Sequence, residues 1–306
     1  MAADLPYRDL NTYLKERFGE RVQKIALDAG LTCPNRDGRV GVGGCLYCNA
    51  RGSGTGAWAQ GQSIPAQMEA GIARLSRRYG AARFIAYFQS FSNTYAPLTT
   101  LRELYEAAMA SPQVVGLAIG TRPDCLADEV LDLLAGYARD RLVWLELGLQ
   151  SAHDATLARL NRGHDVACFS RAAARAAGRG LAVVAHVILG LPGEGPREMA
   201  ATALYLARLP VHGVKIHLLY VIKDSGLARL HREGEYVCLT EDQYVNGAVD
   251  FIERLPPHLV IHRLTSDPHA EELVAPAWCL DKSRVLKRIR DEFTRRGTRQ
   301  GNRWEG

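Results

Sequence analysis

The run VQKIALDAGLTCPNRDGRVGVGGCLYCN, residues 22–49, decides how the chain is read. It opens on a short strand-like segment, Val22–Leu27. It then places Cys33, Cys45 and Cys48 in one loop, with eleven residues in the first gap and two in the second. The longer gap, PNRDGRVGVGG, holds four glycines. Glycine lets a backbone curl closely around a bound group without a Cβ clash. In parallel α/β folds the loops that follow strands are where chemistry sits.

Two metal readings compete for this loop. A structural zinc site wants four ligands, usually with a second Cys/His pair. The next cysteine is Cys125 and the first histidine His153, both far down the chain, so zinc needs a distant fourth ligand. Three thiolates in one loop fit better a [4Fe–4S] cube with one iron left without a protein ligand. Cys168, Cys238 and Cys279 lack ligand-like partners and read as structural.

Outward from the loop, the chain alternates short apolar runs with helical stretches. Strands are expected at Val22–Leu27, Arg83–Phe88, Val114–Ile119, Leu142–Leu147, Leu181–Ile188 and Val214–Leu219. Helices are expected around Ile64–Tyr79, Leu98–Ala110, Asp128–Tyr137, His153–Leu160, Val166–Gly178 and Pro196–Ala207. Several of the strands are apolar nearly throughout, as strands covered on both faces should be. Six βα repeats imply a parallel sheet wound right-handedly. Either a partial (β/α)6 barrel or an open doubly wound sheet satisfies that pattern. After Leu219 the rhythm changes. A helix near Glu241–Arg254, a short strand near Leu259–Leu264 and a basic helix near Ser283–Arg296 read as an extension. The domain reading is therefore a core over 1–220, with the cysteine loop at 28–61, and an extension over 221–306.

The chain has 306 residues and a net charge of +5. No apolar run reaches the 18 or so residues a membrane helix needs. The N-terminal MAADLPYRDLNTYLKERFGE is polar and charged, unlike a secretory signal. A cytoplasmic protein is expected, and seven scattered cysteines suit a reducing compartment better than a disulfide framework. From Asp281 onward there are nine Lys/Arg against four Asp/Glu, while the rest of the chain balances at 29 against 29. The whole positive excess thus lies in the tail. On a helical wheel Val285, Leu286, Ile289 and Phe293 share a face that should pack on the domain. Arg284, Lys287, Arg288 and Arg295 fall opposite, with Arg296, Arg299 and Arg303 continuing the run. An ordinary charge run is a solvated face; here it also suits an RNA partner.

The stretches KIALDAGLTCPNRDG, GGCLYCN, YFQSFSNTYAP, GTRPDCL, ELGLQSAHDATLARLNRGHD, HVILGLPGE, VKIHLLYV and LVAPAW occur in that order. Together they resemble the radical S-adenosylmethionine (SAM) proteins, in the YhcC/YtqA-like branch related to the catalytic subunit of Elongator. That branch has a long first spacer, and Tyr47 sits at the superfamily's aromatic position. The resemblance implies a partial (β/α)6 TIM-like barrel with a C-terminal α/β extension. It implies a [4Fe–4S] cluster on Cys33, Cys45 and Cys48, with SAM chelating the open iron and yielding a 5′-deoxyadenosyl radical. It also implies SAM contacts from Gln89, Ser90 and Thr94 after the second strand, from Gln150 and Arg162, and from His186. Gly52, Gly54, Gly56 and Gly61 would help the long loop shield the site. Close relatives often carry Glu at the position of Gly120, a carboxylate for SAM or substrate that this chain lacks there. The branch's relatives modify the wobble uridine of tRNA, so a tRNA substrate is expected through the basic C-terminal segment. An electron donor such as flavodoxin or ferredoxin is expected as well.

Each residue also has a blander reading. His186 lies among valines and an isoleucine, as a satisfied core histidine does. Arg122 and Asp124 read as a local turn pair, and Cys125 beside them as a buried thiol. Asn161–His164 reads as a helix terminus capped by glycine. Glu194 reads as a carboxylate near a helix N-terminus. For the whole chain, the rivals are a radical SAM enzyme acting on a small molecule, as porphyrinogen-type oxidases do, and a non-enzymatic zinc-binding nucleic-acid module. A methylthiotransferase would need a further three-cysteine set, which is not visible.

Overall fold

The computed structural model describes residues 5–306 apart from residues 50, 51, 53, 54 and 90. In chain order the elements are α1 (Leu10–Phe18), β1 (Val22–Leu27), α2 (Ile64–Tyr79), β2 (Arg83–Phe88), α3 (Leu98–Met109), β3 (Val114–Thr121), α4 (Asp128–Ala138) and β4 (Leu142–Gln150). Then come α5 (Asp154–Arg159), α6 (Val166–Ala177), β5 (Ala182–Leu189), α7 (Pro196–Leu206), β6 (Gly213–Leu218), β7 (Val221–Ile222) and α8 (Gly226–Arg232). The chain ends with α9 (Glu241–Glu253), β8 (Val260–Arg263), β9 (Leu273–Ala275) and α10 (Lys282–Arg296).

Seven strands form one sheet in the order β1-β2-β3-β4-β5-β6-β8, all parallel. The helices pack their apolar stripes against its outer face. Leu27, Phe88, Leu117, Leu145 and Val187 meet Leu101, Leu131, Phe169 and Leu206 there, all fully or nearly fully buried. The sheet curls into a half-barrel. Its edge strands approach closely enough for Lys24 Nζ on β1 to lie 3.5 Å from His262 Nδ1 on β8. The N-terminal segment bridges the two edges: Ile261 N donates to Arg8 O at 2.8 Å. Tyr13 and Leu14 of α1 fill one end of the interior, against Tyr87, Trp144, Val184 and Val260.

The six sequence-expected strands are all present, with ends shifted by a few residues at most. The short strand of the extension does more than pack on the core. As β8 it pairs with β6 and continues the barrel sheet. α10 buries Val285, Ile289 and Phe293, with Leu286 packed beside them. Its cationic face is largely occupied. Arg284 reaches Glu241 at 2.6 Å, Lys287 reaches Asp291 at 2.6 Å, Arg295 reaches Glu292 at 2.7 Å and Arg296 reaches Asp250 at 2.8 Å. Arg288 pairs with Glu241 at 3.2 Å and also with Asp242.

Candidate active site: a cysteine loop over a charged barrel interior

The cysteine loop follows β1 and folds back on itself. Val40 N donates to Pro34 O at 2.8 Å, Gly44 N to Asn35 O at 2.9 Å, and Cys48 N to Cys45 O at 2.9 Å. These turns leave Cys33 and Cys45 buried and Cys48 partly so, with all three thiols free. The surroundings are cationic. Arg162 Nη1 donates to Cys45 Sγ at 3.3 Å and to the Tyr47 hydroxyl at 3.1 Å, and Arg162 Nη2 to Gly148 O at 3.1 Å. Asn35 Nδ2 lies 3.7 Å from the same sulfur. The Cys48 thiol, donating to Cys45, holds the Cys45 thiol well below the usual range, and Arg162 and Arg122 act in the same direction. Cys48 is pushed up by that shared proton and by burial. Three thiolates and several arginines suit an anionic iron–sulfur cube. Among the described residues no group of three or more His, Cys, Asp or Glu is arranged to hold a single ion.

The cysteines look into a cavity of about 160 Å³, which continues through Tyr47, Cys48, Gly52, Gln150 and His186 into a second space of about 140 Å³. Gly148 keeps this cavity open, because a Cβ there would meet Gln150 Nε2 at 2.7 Å and Arg162 Nη2 at 2.9 Å. Gln150 itself ends β4 with a φ of 71° at a register shift against β5. A side chain in that left-handed region is strained, and such strain clusters at functional sites. Among the side chains lining the cavity, Ser92 Oγ, Arg122 Nη1, Gln150 Oε1 and Arg162 Nε are buried without a hydrogen-bond partner. Buried polar groups are seldom left so. Unpartnered donors and acceptors on residues around one space fit a ligand with carboxylate, amine and hydroxyl groups, as SAM has.

Beneath the cavity lies a network that the sequence motifs did not single out. Glu146 on β4 is fully buried. Its Oε1 accepts from Lys24 Nζ at 2.6 Å, and its Oε2 from His186 Nε2 at 2.7 Å and Lys215 Nζ at 3.0 Å. Lys215 Nζ also donates to the Tyr87 hydroxyl at 2.6 Å. Lys215 and Lys24 hold the Glu146 carboxyl well below its ordinary range in spite of burial. Burial, with help from Lys215, pushes His186 down to about 4. The imidazole is therefore neutral near pH 7, and its Nε2–H donates to Glu146.

The sequence-named residues divide accordingly. Gln89, Gln150, Arg162 and His186 all line the cavity with Cys33, Cys45 and Cys48. His186 does so as a partner of Glu146, so its core-histidine reading and its site reading are both present in one residue. Thr94 is not among the lining residues; its hydroxyl is held by Thr121 Oγ1 and Cys125 O, each at 2.6 Å. Ser90 and Gly54 lie outside the described residues. Arg122 does form the local pair with Asp124, at 2.9 and 2.8 Å, yet it lines the cavity and its remaining nitrogen is buried without a partner. Glu194 is bonded to Ser151, just before α7. At Gly120 a Cβ would meet Phe88 O at 3.0 Å, so a side chain there needs the neighbouring strand to give slightly.

Comparison with known proteins agrees with this geometry. The radical SAM superfamily pattern matches residues 33–206, and the radical SAM C-terminal domain pattern matches residues 211–295. The chain is 41% identical over 295 residues to YtqA of Bacillus subtilis strain 168, covering 96% of this chain and 92% of that one. It is also 41% identical over 295 residues to YhcC of Escherichia coli K12, covering 95% and 94%. The fold is similar to that of an archaeal Elp3 from Methanocaldococcus infernus, with a TM-score of 0.66 at 18% identity, over 91% of this chain and 64% of that one. The three-cysteine loop, the half-barrel and these matches agree: the chain belongs to the radical SAM superfamily, with YtqA and YhcC among its relatives, and its cofactors are a [4Fe–4S] cluster and SAM.

Proposed function

We propose that this radical SAM enzyme modifies the C5 side chain of the wobble uridine in tRNA, in the cytoplasm. Cys33, Cys45 and Cys48 would hold the cluster, and Gln150, Arg162 and Arg122 the polar groups of SAM. When bound, this pair supplies a 5′-deoxyadenosyl radical after one-electron reduction, drawn from a donor such as flavodoxin or ferredoxin. The protein's share is positioning and exclusion of water. Arg162 ties the cluster loop to the end of β4 through Cys45, Tyr47 and Gly148. Glu146, gripped by Lys24, His186 and Lys215, fixes the floor below.

The observation that carries the substrate reading is the ordered set of matched stretches shared with the Elongator-related branch. A 31% identity over 175 residues to Elongator complex protein 3 of Schizosaccharomyces pombe, covering 55% of this chain and 32% of that one, supports it. The positive excess in the C-terminal segment supports an RNA partner. Nucleoside profiling of bulk tRNA from a deletion strain tests the proposal. An altered C5 side chain at wobble uridine, restored by the parental gene and by no cysteine variant, is expected. An unchanged tRNA profile would overturn the tRNA assignment and favour a small-molecule substrate.

A further inference from the structure

We propose that the groove over the β1–β8 seam, beside the N-terminal segment and α10, binds nucleic acid, with Arg263 and Arg290 taking phosphates. The inference rests on the RNA reading above. The groove has a volume of about 590 Å³ and is walled by the N-terminal segment, β1, β8 and α10. Five cations line it, Lys24, Lys215, Arg263, Lys282 and Arg290, against two carboxylates, Asp9 and Asp267. Both carboxylates are engaged: Asp9 accepts from Thr12 N at 3.0 Å, and Asp267 lies 3.6 Å from Lys282. Glu146 takes Lys24 and Lys215, which leaves the two arginines.

Neither guanidinium has a hydrogen bond or an ion pair to any described residue. That separates them from Arg284, Arg288, Arg295 and Arg296 on the other sides of α10, each held by a carboxylate. Arg290 is exposed at the mouth, beside Tyr7. Arg263 is half-buried further in, the register partner of Lys215. Its positive charge bears on Lys24, Lys215 and His217. An unpaired arginine beside two buried lysines is a repulsive arrangement that an incoming anion relieves. Guanidinium forks match phosphate oxygens in pairs.

The cations run from the surface of α10 to the barrel interior, rather than converging on one point, which suits a chain of phosphates better than one small anion. Tyr7, half-buried at the mouth, adds a ring against which a base can stack. Tyr87 and Gln89 line both the groove and the cysteine cavity, so the two spaces share a wall.

The test uses the anaerobically reconstituted holoenzyme and a fluorescein-labelled anticodon stem-loop RNA, followed by anisotropy across a salt series. Arg290→Glu and Arg263→Gln should each weaken binding by about tenfold. The double variant should lower the slope of log affinity against log salt by roughly two. Lys287→Glu with Arg295→Glu, on the paired face, should change affinity less than about twofold. The parental cluster absorption and melting temperature should persist in Arg290→Glu, whose side chain is exposed, so this variant decides the matter should Arg263→Gln fold poorly. Parental affinity in the groove variants, or loss confined to the paired-face variant, would overturn the groove while leaving the RNA reading intact. A parent that binds no RNA at low salt would overturn both.

Discussion

Gly120 and Glu146 face each other across the β3–β4 ladder, and both line the cavity beneath the cysteine loop. Glu146 brings a carboxylate into this cavity from β4, opposite a position on β3 that has no side chain.

That carboxylate has work to do before any substrate arrives. Lys24 and Lys215 keep only 16% and 6% of their side-chain exposure, and Glu146 none. Removing the anion leaves two buried ammonium groups facing each other. At pH 6, where Lys215 keeps its proton, Glu146→Gln should therefore destabilise the fold by about 3–5 kcal/mol, read as a fall in urea midpoint. Adding Lys215→Met should recover part of that loss. A Glu146→Gln variant as stable as its parent would mean the lysines are not charged in the folded state.

Lys215 supplies a pH signature of the same network. Burial pushes its ammonium down from the ordinary 10.5 to about 7, against the pull of Glu146. Between those two values the unfolded chain holds this proton and the folded chain does not. Stability contributed by the group is therefore lowest below pH 7 and rises toward pH 10, by at most about 1.4 kcal/mol per pH unit. Thermal melts from pH 7 to 9.5 should show the parent gaining on Lys215→Met. Parallel curves for the two proteins would refute a depressed lysine.

Much of this architecture is legible in the sequence. The six apolar runs are strands, and the loop after the first holds the three cysteines. β8 was harder, because VIHR is four residues long and nothing local shows that it joins β6 across the 41 intervening residues. α1 hid in a polar N-terminus that buries only Tyr13 and Leu14. The Glu146 network did leave a trace. Four buried strands each carry ionisable residues among apolar ones: Lys24, Glu146, His186, and Lys215 with His217. One charge inside such a strand needs a partner, and several strands with that feature imply a shared one. Which charges meet depends on sheet order and register, which local pattern does not encode.

Gln150 exchanges stability for position. Its left-handed backbone costs about 1–3 kcal/mol in a residue with a side chain, while glycine at a strand end forfeits roughly 0.5–1 kcal/mol of chain entropy. Gln150→Gly should raise the melting temperature and weaken SAM binding together, since the unpartnered amide oxygen is lost. Gln150→Ala should weaken binding without the gain in stability. A glycine variant less stable than the alanine variant would show that the strain is not there.

Arg162 touches the cluster loop as well as the cavity, so its loss should register twice. Arg162→Ala should weaken SAM binding by about tenfold, the loss of one charged hydrogen bond. It should also move the reduction potential of the cluster downward, because a cation leaves the vicinity of the Cys45 sulfur. Calorimetry with SAM and redox titration read the two effects separately. If neither moves, Arg162 serves only to end α5.

The central claim, a SAM-cleaving cluster held by three loop cysteines, meets its most direct test in metal and sulfide analysis of anaerobically purified protein, paired with 5′-deoxyadenosine production under dithionite. About four iron and four sulfide per chain are expected, with reductant-dependent cleavage of SAM in the parent. Both should be lost in Cys33→Ala, Cys45→Ala and Cys48→Ala. Stoichiometric zinc without iron, or variants that keep a full cluster and still cleave SAM, would contradict the account.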